Sequence, residues 1–287
     1  MSLVFPEMEL MQDESLYLLV DGGQIKALAE QLYDIDGPLV LEPIYLFEPY
    51  DQLRAVSPYL IQATPEVQDW FAQQSQPTAG FFLSSSLKLE ALADHLRQFI
   101  KVHPPYGGLA FFKMAHSEAS WVLLNTPCEH YWQSISSVWC LTREGLKQMR
   151  NPFSQSAELA TDTMSDWLTL SDQQWQQLGD ITWRNTREHI QAHLRQWFPE
   201  LIAAHDHPIQ WIDEQAKVAY QRGMTTERDL LLYFNIIGYL GERAVTDIDA
   251  YPNIYQLLTK PSEQTPSQRV DQAELLAEHA AKQDPHA

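Results

Sequence analysis

The chain has 287 residues, with 19 Lys and Arg against 38 Asp and Glu, and a formal net charge of −19 at pH 7. Its apolar fraction of 45% is ordinary for a folded protein, which argues against wholesale disorder. The acidic excess repels phosphate groups and anionic lipid, so the composition predicts neither a nucleic-acid nor a membrane partner.

The compartment is also indicated by the sequence. The first residues are acidic, whereas a secretory signal opens with a basic segment, and no apolar run approaches the roughly 20 residues that span a bilayer. The two cysteines, Cys128 and Cys140, cannot build a zinc site without histidines, and no pattern requires a disulfide between them. We expect a soluble, cytoplasmic protein.

The first part of the chain alternates strand-like and helix-like segments. An apolar run at 16–20 stops at an Asp-Gly-Gly turn, the pattern of a buried strand. Pro43 lies inside the strand-like run 39–47 and favours an edge or a bulged position for it. Strands are predicted at 16–20, 39–47, 59–61, 80–83, 109–113 and 121–124, with helices at 24–33, from 64 and at 89–100. This alternation predicts an α+β or α/β fold, with a small mixed sheet and helices in the N-terminal lobe.

Beyond about residue 143 the apolar period becomes helical. Ser171 with Gln174 forms a capping box that opens a long helix, and Thr226 with Asp229 opens another. Further helices are predicted at 209–222 and 253–258. Eight of the nine tryptophans lie between positions 121 and 211, where we expect their rings to fill a core rather than line a groove.

These patterns divide the chain into four parts. We predict an α/β lobe at 1–142, a junction at 143–170 and an all-helical lobe at 171–260. Prolines and small polar residues are frequent at 261–287, so we expect that segment to be a loosely attached tail.

Three short motifs contain residue types that occur in catalytic sites. Asp21 at a strand end is typical of phosphotransfer enzymes, but the second carboxylate expected two residues later is replaced by Gly23, so a turn is favoured. Cys128, Glu129 and His130 are sequence neighbours, which favours a structural thiol over a catalytic pair. The serines at 84–86 lack the GxSxG elbow and suit helix capping. No constellation here predicts an enzyme or a cofactor.

The loop with His205 and His207 offers a metal site as an alternative interpretation. His205 and His207 flank Asp206 in a loop, and neutral imidazoles with a carboxylate are legitimate metal ligands. The alternative function is therefore a metal-assisted hydrolase that uses His205 and His207.

An ordered set of motifs resembles a known family. The segments LYLLVDGGQ (16–24), SPYLI (57–61), Trp70-Phe71, GFFLSSSLKLEALADHLRQF (80–99) and FFK (111–113) are similar to those of the type VI secretion effector chaperones, also called Tap or Tec adaptors. The resemblance covers roughly residues 16–125. Looser similarity continues through Gly223, Thr226, Glu227, Asp229 and Tyr233, then Gly238, Asp249, Tyr251 and Pro252.

The resemblance implies a cytoplasmic adaptor that catalyses no reaction. Such proteins bind a toxic effector before secretion and help load it onto the tip of the spike protein VgrG. Partner-binding candidates are Arg97, Phe112, Lys113 and Trp121, of which the two cations are scarce positive charges in an acidic chain. An ordinary ion pair is the alternative for each cation.

The chain departs from the family pattern after Lys113. Relatives commonly continue into Tyr-Asp-Pro, whereas this chain continues with Met-Ala-His at 114–116. If that strand end contacts cargo, we expect a different specificity here. An immunity protein that neutralises a toxin is a third reading, because it would also bind an effector.

Overall fold

A computed structural model describes residues 4–126, 128–153 and 167–283. The chain divides into two compact units, 1–181 and 182–287. The elements of the first unit are β1 (Ser15–Val20), α1 (Leu28–Tyr33), β2 (Leu41–Pro43), a 3-10 helix (Asp51–Val56), β3 (Tyr59–Gln62), α2 (Pro65–Ala72), β4 (Gly80–Ser85), α3 (Leu89–Arg97), β5 (Lys101–Val102), β6 (Ala110–Phe111), α4 (Ser117–Leu124), α5 (Glu129–Trp132), β7 (Ser137–Thr142) and β8 (Gly145–Arg150).

The first unit is built on a six-stranded sheet of order β2-β3-β1-β4-β7-β8. All pairings within it are antiparallel, with Leu18 opposite Ile61 on one side and Phe82 on the other. Strand β1 is central, and its last four residues are buried, as expected for a short continuous apolar run. Helices pack on the sheet, which confirms the predicted combination of sheet and helices in this half.

Two glycines of the family motifs allow the strands to approach closely. A Cβ on Gly22 would lie 2.3 Å from the carbonyl oxygen of Ser57, and one on Gly80 would lie 2.7 Å from that of Leu19. Real Cβ atoms do not tolerate such distances from backbone, so only glycine fits at either position. The motifs around 22, 57 and 80 therefore encode the packing of β1, β3 and β4.

The position of β2 at an edge of the sheet was predicted correctly, whereas the strand predicted at 121–124 was wrong. Pro43 ends β2 at one edge of the sheet, where a missing N–H costs no ladder hydrogen bond. The predicted strand at 121–124 is instead the last turn of α4. Most residues of α4 are buried, and an apolar run that is buried on every side has no period that distinguishes a helix from a strand.

The second unit is helical, as predicted. Its core is formed by aromatic and aliphatic side chains, including the fully buried Tyr233 and Phe234. Thr226 caps α9 by accepting the backbone N–H of Asp229, which confirms the predicted helix start. The helices are α6 (Asp172–Trp197), whose first part belongs to the first unit, α7 (Pro199–Ala203), α8 (Pro208–Gln221), α9 (Glu227–Leu240), α10 (Arg243–Thr246), α11 (Pro252–Thr259) and α12 (Pro266–Gln283).

The expected loose tail at 261–287 is corrected by the structure. Helix α12 buries Val270, Ala273 and Ala277 in the core of the second unit. Arg269 donates to the carbonyl oxygens of Leu257 at 3.2 Å and Lys260 at 2.9 Å, at the end of α11. Pro261 therefore lies in the loop before a packed helix, and Pro266 is the first residue of that helix. Of the segment 261–287, only positions 284–287 lie outside the described residues.

The predicted junction at 143–170 also differs from the structure. Strand β8 pairs with β7 along its whole length, from Thr142 opposite Gly145 to Ser137 opposite Arg150. A boundary at residue 142 would cut this hairpin, so the sheet domain extends at least to Arg150. Residues 154–166 of the junction lie outside the described residues.

Candidate protein-binding surface

The turn after β1 binds the carboxylate of its own Asp21. Asp21 Oδ1 accepts the backbone N–H of Gly23 at 2.8 Å, and Oδ2 accepts the side-chain amide of Gln24 at 3.0 Å. Asp21 is buried, with both oxygens engaged inside the turn. The interpretation as a turn is confirmed, and the carboxylate stabilises the link between β1 and α1.

The histidines of the hydrolase alternative do not converge on a metal site. The His205 ring stacks on Trp211 with centroids 4.3 Å apart, and its Nε2 lies 3.8 Å from a carboxylate oxygen of Glu242. His207 precedes the first residue of α8. Within residues 4–126, 128–153 and 167–283, no group of three or more His, Cys, Asp or Glu side chains could hold a metal ion. The described residues therefore do not assemble a three-ligand metal site around His205 and His207.

The two cysteines are buried and separate. Both are free thiols inside the core of the first unit, and burial raises the pKa of each above its ordinary value. A raised pKa disfavours the thiolate, which is the nucleophilic form. This geometry suits the predicted structural role of Cys128.

The clefts of the first unit are open and lined by the N-terminal segment. One, of about 460 Å³, lies between residues 6–10, the start of β1 and the residues that follow β3. The other, of about 450 Å³, lies beside Glu14, Arg150 and Phe153. Neither cleft is enclosed, whereas small-molecule sites usually bury most of the surface of the ligand.

An exposed cluster of aromatic rings surrounds a lysine on the first unit. Lys101 and Phe111 lie directly opposite each other in the β5–β6 pair, so their side chains share a face. The Lys101 ammonium lies 5.1 Å from the centre of the Phe111 ring and 5.3 Å from that of Tyr50. The two rings meet edge to face at 5.9 Å. Cation–π attraction thus fixes the lysine between two aromatic side chains.

Phe47 lies in the turn that leads to Tyr50 of this cluster. The turn that joins β2 to the 3-10 helix is closed by a hydrogen bond from Tyr50 N–H to the Phe47 carbonyl at 2.9 Å. Phe47 is 60% exposed and Phe111 is 52% exposed, which is unusual for large apolar rings. We refer to Phe47, Tyr50, Lys101 and Phe111 as the aromatic–lysine surface.

The lysine of this surface is available for a partner. Among the described residues, no carboxylate oxygen lies within 4 Å of Lys101 Nζ, although the chain carries twice as many acids as bases. A cation held against exposed aromatic rings suits a segment that offers both apolar side chains and a carboxylate.

The structure places the four predicted partner-binding residues differently. Lys113 is exposed, two residues beyond Phe111, and remains a candidate. Trp121 is half-buried on α4, where it packs against the core of the first unit. Phe112 is only 3% exposed and meets Tyr131 edge to face, so it is a core residue and cannot contact a partner directly. This corrects its prediction.

Arg97 is also corrected, because its guanidinium is occupied within the protein. It donates to the carbonyl oxygens of Pro43 at 2.8 Å and Ile44 at 3.3 Å, and it pairs with Glu42 at 3.0 Å and Asp94 at 2.6 Å. Its side chain is 13% exposed. The ion-pair alternative describes Arg97 better than a cargo contact, although its guanidinium lies 5.1 Å below the Phe47 ring and supports that ring.

Sequence reasoning missed Phe47, Tyr50, Lys101 and Phe111. A signal was present in the FFK motif, where strand alternation places Phe111 and Lys113 on the face opposite Phe112. The segment YLFEPY at 45–50 is another signal, because its rings cluster beside a proline outside any apolar period. The meeting of these two segments depends on tertiary structure and has no local sequence pattern.

Comparison with known proteins agrees with the motifs. A family model described as a domain of unknown function, DUF4123, matches residues 16–134. The chain is 46% identical over 273 residues to the accessory protein VasW of Vibrio cholerae serotype O1, which covers 95% of this chain and 90% of VasW. No solved structure matches the chain at a significant level. The chain therefore belongs to the DUF4123 family of type VI secretion adaptor proteins.

Proposed function

We propose that this protein is a non-enzymatic, cytoplasmic adaptor that binds a type VI secretion effector and helps load it onto the VgrG spike. The observation that supports effector binding most directly is the aromatic–lysine surface. It presents two exposed phenylalanine rings and a lysine without a carboxylate partner among the described residues. No described helix is both long and apolar enough to cross a bilayer.

The aromatic–lysine surface can supply part of the affinity that such a complex needs. Full burial of a phenylalanine side chain contributes about 1.5–3 kcal/mol, and Phe47 and Phe111 are 60% and 52% exposed, so burial of their exposed area offers about 2–3 kcal/mol together. Rings of this kind, surrounded by polar groups, are the usual centres of binding energy in an interface. Lys101 and Lys113 then select a segment of the effector with acidic residues beside its apolar ones.

Co-purification tests the proposal. The tagged protein is co-expressed with an effector encoded beside it, and the eluted complex is analysed by size-exclusion chromatography with light scattering. We expect a stoichiometric complex that survives moderate salt. Absence of the effector from the eluate of the unmodified protein would contradict the proposal.

A matched pair of variants locates the contact. Phe111→Ala removes a half-exposed ring from the aromatic–lysine surface, whereas Tyr33→Ala removes an exposed ring at the end of α1. We expect Phe111→Ala to reduce effector recovery strongly and Tyr33→Ala to leave it unchanged. Equal recovery with both variants would place the effector elsewhere on the protein.

The effector's own domains distinguish an adaptor from an immunity protein. An adaptor is expected to bind the effector outside its toxic domain and to change secretion without protecting a target cell. Binding to the isolated toxic domain, together with protection of cells that express it, would contradict the adaptor proposal and favour the immunity function.

A further inference from the structure

Among the described residues, strand β8 forms one edge of the sheet and has no partner strand on its outer side. Asn151 N–H donates to the carbonyl of Ser136 across the β7–β8 pair, so the backbone groups of alternate residues in β8 face β7. The backbone groups of the intervening residues, Leu146, Gln148 and Arg150, face outward. Across the described ranges these outward groups have no hydrogen-bond partner.

The two edges of the sheet are built differently. The β2 edge has three residues and ends in Pro43, whose carbonyl is already taken by Arg97. The β8 edge has six residues, contains no proline, and pairs with β7 in unbroken register without a bulge. Natural sheets usually blunt a free edge with short strands, proline or bulges. Strand β8 has none of these features and can accept another strand.

The charge around β8 indicates which strand it accepts. Residues 143–150 contain Arg143, Lys147 and Arg150 against the single carboxylate of Glu144, which pairs with Lys147 at 3.0 Å, so the segment keeps an excess of two positive charges in a chain with a net charge of −19. The Arg150 side chain is 61% exposed, and its nearest carboxylate, Glu14, lies 3.8 Å away. A second copy of β8 would bring these cations against identical ones, which disfavours self-association.

We infer that the β8 edge binds an extended, acidic segment of a type VI secretion effector by strand addition, an inference that rests on the proposed function. The main chain of the segment pairs with the outward groups of Leu146, Gln148 and Arg150. Its carboxylates lie beside Lys147 and Arg150. In this mode main-chain hydrogen bonds supply affinity and the flanking side chains supply specificity. The edge is a second contact, distinct from the aromatic–lysine surface.

A proline at Gln148 tests the main-chain contact. Gln148→Pro removes an outward N–H without removing a hydrogen bond to β7, whereas Gln148→Ala keeps the N–H and removes the same side chain. Loss of one to two interstrand hydrogen bonds is expected to weaken effector binding about ten-fold in Gln148→Pro, with little change in Gln148→Ala. Equal affinities of the two variants, with the thermal transition of each retained, would overturn the inference.

Amide hydrogen exchange tests the same contact without any substitution. The unmodified protein is compared free and in complex with the co-purified effector. We expect the amides of Leu146, Gln148 and Arg150 to exchange at least about ten-fold more slowly in the complex. Unchanged exchange at all three in a stable complex would overturn strand addition and leave the proposed function intact. Failure of the effector to bind at all would overturn both.

Charge reversal tests the chemistry of the segment. Arg150→Glu and Lys26→Glu change the net charge equally, and Lys26 is an exposed residue before α1. We expect Arg150→Glu to weaken effector binding about five-fold and Lys26→Glu to leave it nearly unchanged. Equal effects of the two variants would refute an acidic segment beside β8.

Discussion

Replacement of Arg97 by methionine separates a structural role from a cargo contact. Methionine keeps an unbranched chain of similar length but removes every hydrogen-bond donor. In the native protein those donors join the end of α3 to the carbonyls of Pro43 and Ile44 and to the carboxylate of Glu42. The substitution therefore removes the hydrogen bonds and the ion pair that hold the edge strand β2 against α3.

The cost follows from the groups left without a partner. Ile44 is buried and Glu42 is 24% exposed, so two carbonyl oxygens and one carboxylate lose donors that water replaces only in part. Each such loss costs about 1 kcal/mol, and a charged group costs somewhat more. The contact with Asp94 adds little, because that carboxylate is exposed. We expect Arg97→Met to lower the free energy of unfolding of the first unit by about 2–4 kcal/mol.

Urea denaturation measures this effect. The urea concentration at the unfolding midpoint of the first unit should be lower in Arg97→Met, with an unchanged slope. The midpoint of Arg97→Lys should lie between those of Arg97→Met and the unmodified protein, because an ammonium group reaches fewer acceptors than a guanidinium. At urea-free conditions, effector binding by the folded variant should change little. A change in stability below about 0.5 kcal/mol, together with lost effector binding, would refute the structural role of Arg97.

Three further predictions concern stability. Burial lowers the pKa of His95 to about 4, against an ordinary value of 6.5, so protonation opposes folding. The contribution of His95 to the free energy of unfolding should be fully present above pH 6.5 and should fall by about 2 kcal/mol by pH 5. In His95→Gln, urea titration at each pH should show a weaker dependence of the free energy of unfolding on pH. Gly22→Ala places a methyl group 2.3 Å from a backbone oxygen and should lower the free energy of unfolding by about 3 kcal/mol or more in a melting experiment. Gly179→Ala, which has open space around the new methyl group, should be neutral or stabilising. Equal melting temperatures of the two variants would contradict the close approach at Gly22. Arg269→Met removes donors to three carbonyl oxygens and should destabilise the second unit by about 2–3 kcal/mol; an unchanged unfolding midpoint would restore the view of α12 as a loose tail.

Much of the fold was predictable because it depends on local patterns. The run 16–20 with its Asp-Gly-Gly turn identified the central strand, and hydroxyl caps located the starts of α2, α6 and α9. Pro43 identified an edge. These signals act within a few residues, so the sequence alone shows them.

Other parts depend on contacts between distant segments. The apolar residues 121–124 belong to a mostly buried helix, and a continuous apolar run shows no period that distinguishes a helix from a strand in advance. The packing of α12 depends on Arg269, which reaches carbonyls 9 and 12 residues away along the chain. A segment rich in proline and polar residues gives no local sign of such anchoring.

The candidate surface was predictable only in part. Lys113 was identified from the FFK motif, but its neighbour Phe112, just beyond the end of β6, is buried in the core of the first unit. Lys101 and Tyr50 lie 51 positions apart, and only the fold brings them within 5.3 Å. The family motifs mainly specify strand packing, so the binding surface lies largely beside them.

The most direct test of the adaptor account is the affinity of the purified effector for a variant without both exposed rings. Calorimetric titration would compare the unmodified protein with the Phe47→Ala, Phe111→Ala double variant. The account predicts at least about thirty-fold weaker binding by the variant, with an unchanged thermal transition, because burial of the exposed area of the two rings contributes about 2–3 kcal/mol. Equal affinities of the two proteins would contradict the central claim that the aromatic–lysine surface binds the effector.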